Sequence, residues 1–202
     1  MVMKAMLCVI LVVIGLAAFD SGQTPPTKYE EPEAYAVYAA VIVDEWPVRV
    51  AKADKLVIQS ETSDFPSYGN DGDVCLKPDR TDEATLGTLV KAYREANKSP
   101  VLLTQEFDLP LEYVLIPRQT VLDFFKEKNI EGWKDFYAKY PNSGGIINVS
   151  AVGFNADKTL ALLYVGHSCG GLCGGGRYHL MSKVDSKWNE LQWKGTTCTW
   201  AS

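Results

Sequence analysis

The residues best suited to chemistry in this chain lie together in one short segment. Residues 167–179 hold both histidines, His167 and His179, two of the five cysteines, Cys169 and Cys173, and Arg177. Imidazole and thiolate groups are the usual protein ligands of zinc, and paired thiols also form disulfides. Five glycines separate these side chains and favour a tightly turned backbone. We therefore treat residues 167–179, the Gly-Cys segment, as the candidate site.

Three chemistries are compatible with the Gly-Cys segment. In a hairpin of suitable register His167 and His179 point to one face, but their spacing around the cysteines differs from the paired ligand spacings of structural zinc sites. Redox-active cysteine pairs have two intervening residues and stand at a helix N-terminus, whereas three residues separate Cys169 from Cys173. We therefore expect a structural disulfide and predict no metal or cofactor. A thiol-disulfide or metal-dependent activity is the alternative.

The beginning of the chain has the pattern of a signal peptide. Lys4 precedes an uncharged apolar run from Ala5 to Phe19, which is shorter than the ~20 residues of a membrane span. We predict a signal peptide over residues 1–22 and a proline-containing linker over residues 23–29, with an uncleaved N-terminal anchor as the alternative. The mature chain is expected to be secreted or periplasmic and to lack a membrane span.

Export determines how the cysteines are expected to behave, because exported proteins meet an oxidising compartment. Apart from Cys8 in the apolar run, the chain has four cysteines, an even set that allows three pairings. A glycine-rich loop of this length can close on itself, so we predict a disulfide between Cys169 and Cys173. By remainder, Cys75 is predicted to pair with Cys198.

Charge and motifs restrict the function. The chain has 20 basic and 25 acidic residues and a formal net charge of −5, which disfavours nucleic acid as a partner. Its sequence has no His-Glu-x-x-His motif, and its Gly-x-Ser-x-Gly match at 166–170 lacks the following helix that a nucleophile elbow requires. The sequence therefore favours a non-catalytic binding or structural module whose ligand is unknown.

The elements that must position the Gly-Cys segment follow from hydrophobic periodicity. Residues 30–202 are predicted to form a single α+β domain, with N-terminal helices on one face of a C-terminal antiparallel β-meander. Helices are expected to begin near Glu30, Thr81, Pro117 and Trp133. Strands are expected over residues 55–62, 101–103, 112–116, 146–154, 159–168, 177–184 and 188–193.

Four motifs in the C-terminal part of the chain support the predicted compartment and fold class. They are Trp133-x2-Phe136-Tyr137-x2-Tyr140-Pro141, Val152-Gly153-Phe154-Asn155-x-Asp157-x-Thr159-x-Ala161-Leu162-x-Tyr164, Cys169-Gly170-x-Leu172-Cys173-Gly174-x-Gly176 and Lys183-x4-Trp188. In these motifs the chain resembles an uncharacterised family of exported bacterial proteins. The resemblance covers roughly the last 70 residues and implies an exported protein, without implying an activity.

Overall fold

The computed structural model describes residues 25–49, 53–63, 76–126, 131–196 and 198–202. The predicted signal peptide, 1–22, and Cys75 lie outside these residues. The helices are α1 (Pro32–Arg49), α2 (Glu83–Ala96), α3 (Arg118–Phe124) and α4 (Gly132–Lys139). The strands are β1 (Lys55–Gln59), β2 (Lys77–Pro78), β3 (Glu112–Ile116), β4 (Ser143–Val149), β5 (Gly153–Phe154), β6 (Leu160–Gly170), β7 (Cys173–Val184), β8 (Lys187–Leu191), β9 (Gly195–Thr196) and β10 (Trp200–Ala201).

The predicted helices are confirmed. Proline and glutamate at positions 32 and 33 stand in the first turn of α1, where a missing N–H costs nothing and a negative charge opposes the helix dipole. In α2, the residues spaced for one helical face, Leu86, Leu89 and Tyr93, are the buried ones. Hydrophobic periodicity therefore located these elements correctly.

The sheet is mixed rather than wholly antiparallel, which corrects part of the prediction. Strands β4, β6, β7 and β8 pair antiparallel in sequence order. Strand β1, however, lies between β3 and β4 and runs parallel to both. Four of its five residues are buried, so both faces of β1 are covered, as is usual for a central strand in a parallel arrangement.

Helices cover both faces of the sheet, whereas the sequence predicted one. Helix α1 packs on the face that carries Ile58, Ile147 and Leu163. On the other face α2 packs over Leu162 and Leu180, and Phe136 of α4 packs over Val57 and Ile146. Adjacent residues of a strand point to opposite faces, so two apolar neighbours in one strand require a helix on each side.

Two strand predictions differ from the structure. Residues 101–103 do not form a strand, although Leu102 makes isolated bridges to Lys28 and Glu61. The run 146–154 is divided into β4 and β5, because Ser150 turns its hydroxyl toward β6 and accepts the Tyr164 backbone N–H at 2.8 Å. Residues 27–29, assigned from sequence to the linker, run beside Leu102 through backbone hydrogen bonds.

Strand β7 is paired on its outer edge by two separate strands. Strand β10 pairs with Gly175 and Gly176, and β8 pairs with residues 180–184. Residues 177–179 lie between the two pairings. In the part of the chain described here, no helix has the length and apolar character needed to cross a membrane.

Candidate functional site

The Gly-Cys segment forms the end of the β6–β7 hairpin. Only Gly171 and Leu172 are in the turn, and Leu172 is 91% exposed. Cys169 and Cys173 form the predicted disulfide across this turn, with their Cα atoms 5.0 Å apart. The Tyr137 hydroxyl donates a hydrogen bond to the Cys169 carbonyl oxygen at 2.9 Å, which ties the hairpin end to α4. The disulfide therefore closes a hairpin that is also held from the side.

The second predicted disulfide is only half within the described residues. Cys198 is in the disulfide-bonded state. Its predicted partner, Cys75, lies outside the described ranges, so the pairing of Cys75 with Cys198 stays a prediction.

Four of the five glycines of the Gly-Cys segment lie in strands, and Gly171 alone is in the turn. Gly174, Gly175 and Gly176 lie within β7, and none of them has a positive φ. A Cβ atom on Gly174 would lie 3.0 Å from the Trp200 indole, and one on Gly176 would overlap the Tyr164 hydroxyl. The glycine run is thus a bare strip of strand that admits the Trp200 side chain.

The two histidines share a face of the sheet but not a site. His167 on β6 lies opposite Gly175 on β7. His179 is four residues beyond Gly175, which is about 13 Å along the strand. His167 is buried, with Nε2 2.6 Å from the Gly144 carbonyl oxygen. Among the residues the structure describes, no three metal-ligating side chains come together. The segment therefore does not converge on one point.

Two residues of the Gly-Cys segment instead meet a residue that the sequence did not single out. Glu190 of β8 accepts two hydrogen bonds from the Arg177 guanidinium, at 2.7 and 3.0 Å. Its Oε1 atom also lies 3.1 Å from His179 Nδ1. Arg177, His179 and Glu190 form a hydrogen-bonded triad on the face covered by α1, which we call the His179 triad.

Neighbouring groups keep the carboxyl of Glu190, the central residue of the His179 triad, ionised. Partial burial by itself would raise the pKa of the Glu190 carboxyl. The hydrogen bonds from His179 and Arg177, together with the positive charge of Arg177, outweigh burial and lower this pKa from 4.5 to about 2. Glu190 is therefore an acceptor at all ordinary pH values, and His179 Nδ1 must be the donor.

The His179 triad opens onto a cleft of about 560 Å³ between α1 and the β7–β8 hairpin. Ala40, Val43 and Asp44 of α1 line one side, and Met181 and Trp188 line the other. Asp44 is exposed, and its carboxylate pairs with no cation in the described part of the chain. The cleft thus combines an apolar wall with acidic groups.

One hydrogen-bonding atom in the wall of the cleft is left unpaired. His179 is 1% exposed, and its Nε2 atom has no hydrogen-bond partner among the described residues. Buried polar atoms of native proteins are nearly always paired, because an unpaired one costs roughly 1–3 kcal/mol. His179 Nε2 is therefore the feature of this cleft that calls for a ligand.

Two polar contacts to Glu33 hold the end of the cleft near Trp188. Glu33 of α1 accepts hydrogen bonds from the Trp188 indole at 2.7 Å and from Lys183 at 2.8 Å. The hydrogen bond from Lys183 is the main reason that the pKa of Glu33 is lowered. These contacts hold the first turn of α1 against β8, so the cleft has a defined width near Trp188.

Sequence reasoning missed Glu190 because it misjudged one turn. The β7–β8 hairpin turns on Asp185 and Ser186, whose φ angles are 49° and 63°, and Val184 pairs with Lys187. A two-residue turn of this kind places Glu190 opposite Met181 and diagonal to His179. Asp185 and Ser186 are polar residues typical of a turn, but the predicted strands, which ended at 184 and resumed at 188, implied a turn of three residues.

The fold and the site together define an α+β protein with a disulfide-closed hairpin beside a polar cleft. No protein-family model, curated protein or solved structure is significantly similar to this chain.

Proposed function

We propose that this protein is an exported, non-catalytic binding module that holds a small amine in the cleft beside the His179 triad. The observation that carries the proposal is the buried Nε2 atom of His179, which has no hydrogen-bond partner in the described part of the chain. Export follows from the signal-peptide pattern of residues 1–22 and from the resemblance to exported bacterial proteins. The disulfide between Cys169 and Cys173 is consistent with an oxidising compartment.

The choice of an amine follows from the state of the imidazole. Because Nδ1 donates a hydrogen bond to the Glu190 carboxylate, Nε2 is a hydrogen-bond acceptor whenever the ring is neutral. An ammonium or amine group supplies the matching donor. The carboxylate of Asp44, which pairs with no cation among the described residues, lines the same cleft and favours a positive charge.

The rest of the cleft suits the body of a small ligand. Ala39, Ala40 and Val43 offer an apolar surface for a short aliphatic body. The proposed ligand is therefore a primary amine carried on a small apolar group.

Titration with n-butylamine, followed by histidine ring resonances in NMR spectra, tests this proposal. The chain has only two histidines, so the two imidazoles are readily assigned. At pH 8, n-butylamine is expected to shift the Nε2 resonance of His179. 1-Butanol and butyrate are expected to bind at least ~10-fold more weakly, which corresponds to ~1.4 kcal/mol.

A pair of histidine variants provides the control. Because the asparagine amide nitrogen occupies the place of Nδ1, His179→Asn keeps a donor for Glu190 and removes Nε2. This variant is expected to lose n-butylamine binding, whereas His167→Asn, outside the cleft, keeps it. Equal binding of the amine, the alcohol and the acid, or wild-type binding by His179→Asn, would overturn the proposal.

A further inference from the structure

A second cleft lies on the opposite face of the sheet, where the parallel strands end. Gln59 is the last residue of β1, Arg118 comes two residues after the end of β3, and Asn148 is near the end of β4. These three residues line a cleft of about 480 Å³, which we call the strand-end cleft. Ligands of open sheets with parallel strands characteristically bind outside the carboxyl ends of those strands.

One wall of the strand-end cleft is apolar and aromatic. Val121, Leu122 and Phe125 come from α3 and the residue after it, and Trp133 comes from α4. The rings of Phe125 and Trp133 lie 4.8 Å apart between centroids. Leu122 is 50% exposed. The other three side chains are half-buried against the core, so this wall offers a partly exposed apolar surface to a ligand.

Polar groups lie along the other wall. The Asn148 amide donates to the Ser63 hydroxyl at 3.2 Å, and the Gln59 amide donates to the Glu61 carbonyl oxygen at 2.7 Å. These contacts fix both carboxamides in place. The Ser168 hydroxyl, next to the disulfide, also lines the cleft.

Arg118 provides the only charge among the described residues that line this cleft. Its side chain is exposed, and its guanidinium pairs with no carboxylate in the described part of the chain. The adjacent carboxylate of Glu61 is not in the lining and accepts instead from the Arg118 backbone N–H at 2.7 Å and from Ser60 Oγ at 2.8 Å. A guanidinium fork of this kind matches a carboxylate in a bidentate pair.

From these observations we infer that the strand-end cleft binds an organic carboxylate that carries an aromatic group. The Arg118 guanidinium pairs with the carboxylate, and the ring packs against Phe125 and Trp133. The site is independent of the His179 cleft, because the two open on opposite faces of the sheet and share no residue. The carboxylate belongs either to a free acid or to the C-terminus of a peptide.

Titration of the purified protein with phenylacetate tests this inference. Amide resonances of Asn148 and Ser168 and the indole resonance of Trp133 are expected to shift together. 2-Phenylethylamine, which has the same ring and the opposite charge, is expected to bind at least ~10-fold more weakly. N-acetyl-Ala-Phe and its C-terminal amide distinguish the sources, because tighter binding of this peptide acid than of phenylacetate identifies a peptide C-terminus.

Arginine variants give the decisive comparison. Arg118→Gln is expected to weaken phenylacetate binding about 10-fold or more, and Arg118→Lys less, because lysine keeps the charge without the fork. Arg80→Gln changes an exposed arginine elsewhere and is expected to have no effect. Unchanged binding by Arg118→Gln, equal binding of the acid and the amine, or shifts confined to the His179 cleft would overturn the inference.

Discussion

The Trp200 indole N–H donates a hydrogen bond to the Tyr164 hydroxyl at 2.6 Å, across the glycine run of β7. Tyr164 is 1% exposed and stands on β6, opposite Tyr178 of β7. The indole reaches this buried hydroxyl because Gly174 and Gly176 have no side chains in its path. The C-terminal strand is thus joined to the core through a bond that depends on glycine.

A methyl group in the glycine run should therefore be costly. We expect Gly176→Ala to lower the free energy of unfolding by ~1–3 kcal/mol, because its Cβ would overlap the Tyr164 hydroxyl and approach Trp200 Nε1 to 2.6 Å. Urea denaturation measures the loss. Gly171→Ala in the hairpin turn, where a Cβ meets nothing within 4 Å, is the matched control. Equal stability of the two variants would contradict this account.

The disulfide of the hairpin is expected to contribute modestly. Cys169 and Cys173 are separated by four positions, so the bond closes a very short loop. Replacing both with serine should cost about 2 kcal/mol, because a short loop removes little entropy from the unfolded chain. Thermal unfolding of the oxidised protein and the double variant gives the comparison. Loss of the folded state would show that the fold as a whole requires this disulfide.

Acid stability should depend on Glu190. Its pKa is lowered from 4.5 to about 2, so its ionised form favours the folded state. This contribution is complete above pH 4.5 and disappears as the pH falls toward 2. We expect Glu190→Gln to be less stable than wild type at neutral pH and the difference to shrink over that range. Denaturant melts at several pH values measure it.

A matched variant separates the triad from general surface charge. Glu95 forms an exposed pair with Lys98 on α2, in which both side chains are 68% exposed. Because exposed pairs contribute little, Glu95→Gln should leave stability nearly unchanged at every pH. A pH-independent difference between wild type and Glu190→Gln would mean that the carboxylate acts through packing alone.

The face of α2 that packs on the sheet gives a prediction about the core. Leu89 is fully buried beside Leu162 and Leu180. Leu89→Ala is expected to cost ~2–5 kcal/mol, because it removes apolar contacts and leaves a cavity. Leu172→Ala, at the 91% exposed turn residue, should cost less than ~0.5 kcal/mol. Chemical denaturation compares the two, and similar losses would contradict the packing described for α2.

Local signals in the sequence predicted the helices and the hairpin, but not how the first half of the chain joins the sheet. The period-two runs of β6 and β7 pair with neighbours in sequence, so short-range pattern is sufficient there. Strand β1 pairs with β3 and β4, and its partner residues there lie more than fifty positions further along the chain. Such pairings depend on crossover connections, which leave no periodic trace.

The candidate site was partly predictable for the same reason. Arg177 and His179 stood out as residues of the Gly-Cys segment, whereas Glu190 required the exact hairpin register. The strand-end cleft combines Gln59, Arg118 and Asn148 from three distant stretches. None of these residue types is distinctive by itself, so only the fold reveals that they meet.

The divided outer edge of β7 determines how much of that strand is free to pair with another strand. A long row of free N–H and C=O groups on an edge strand recruits strands from other molecules. Here β8 and β10 occupy the two ends of that edge, and the Ser202 N–H also binds the Gly174 carbonyl oxygen at 3.2 Å. Only residues 177–179 lie between them, which is too short a stretch to template a foreign strand. Residues 200–202 therefore occupy backbone groups of β7 that would otherwise be free to pair with another strand.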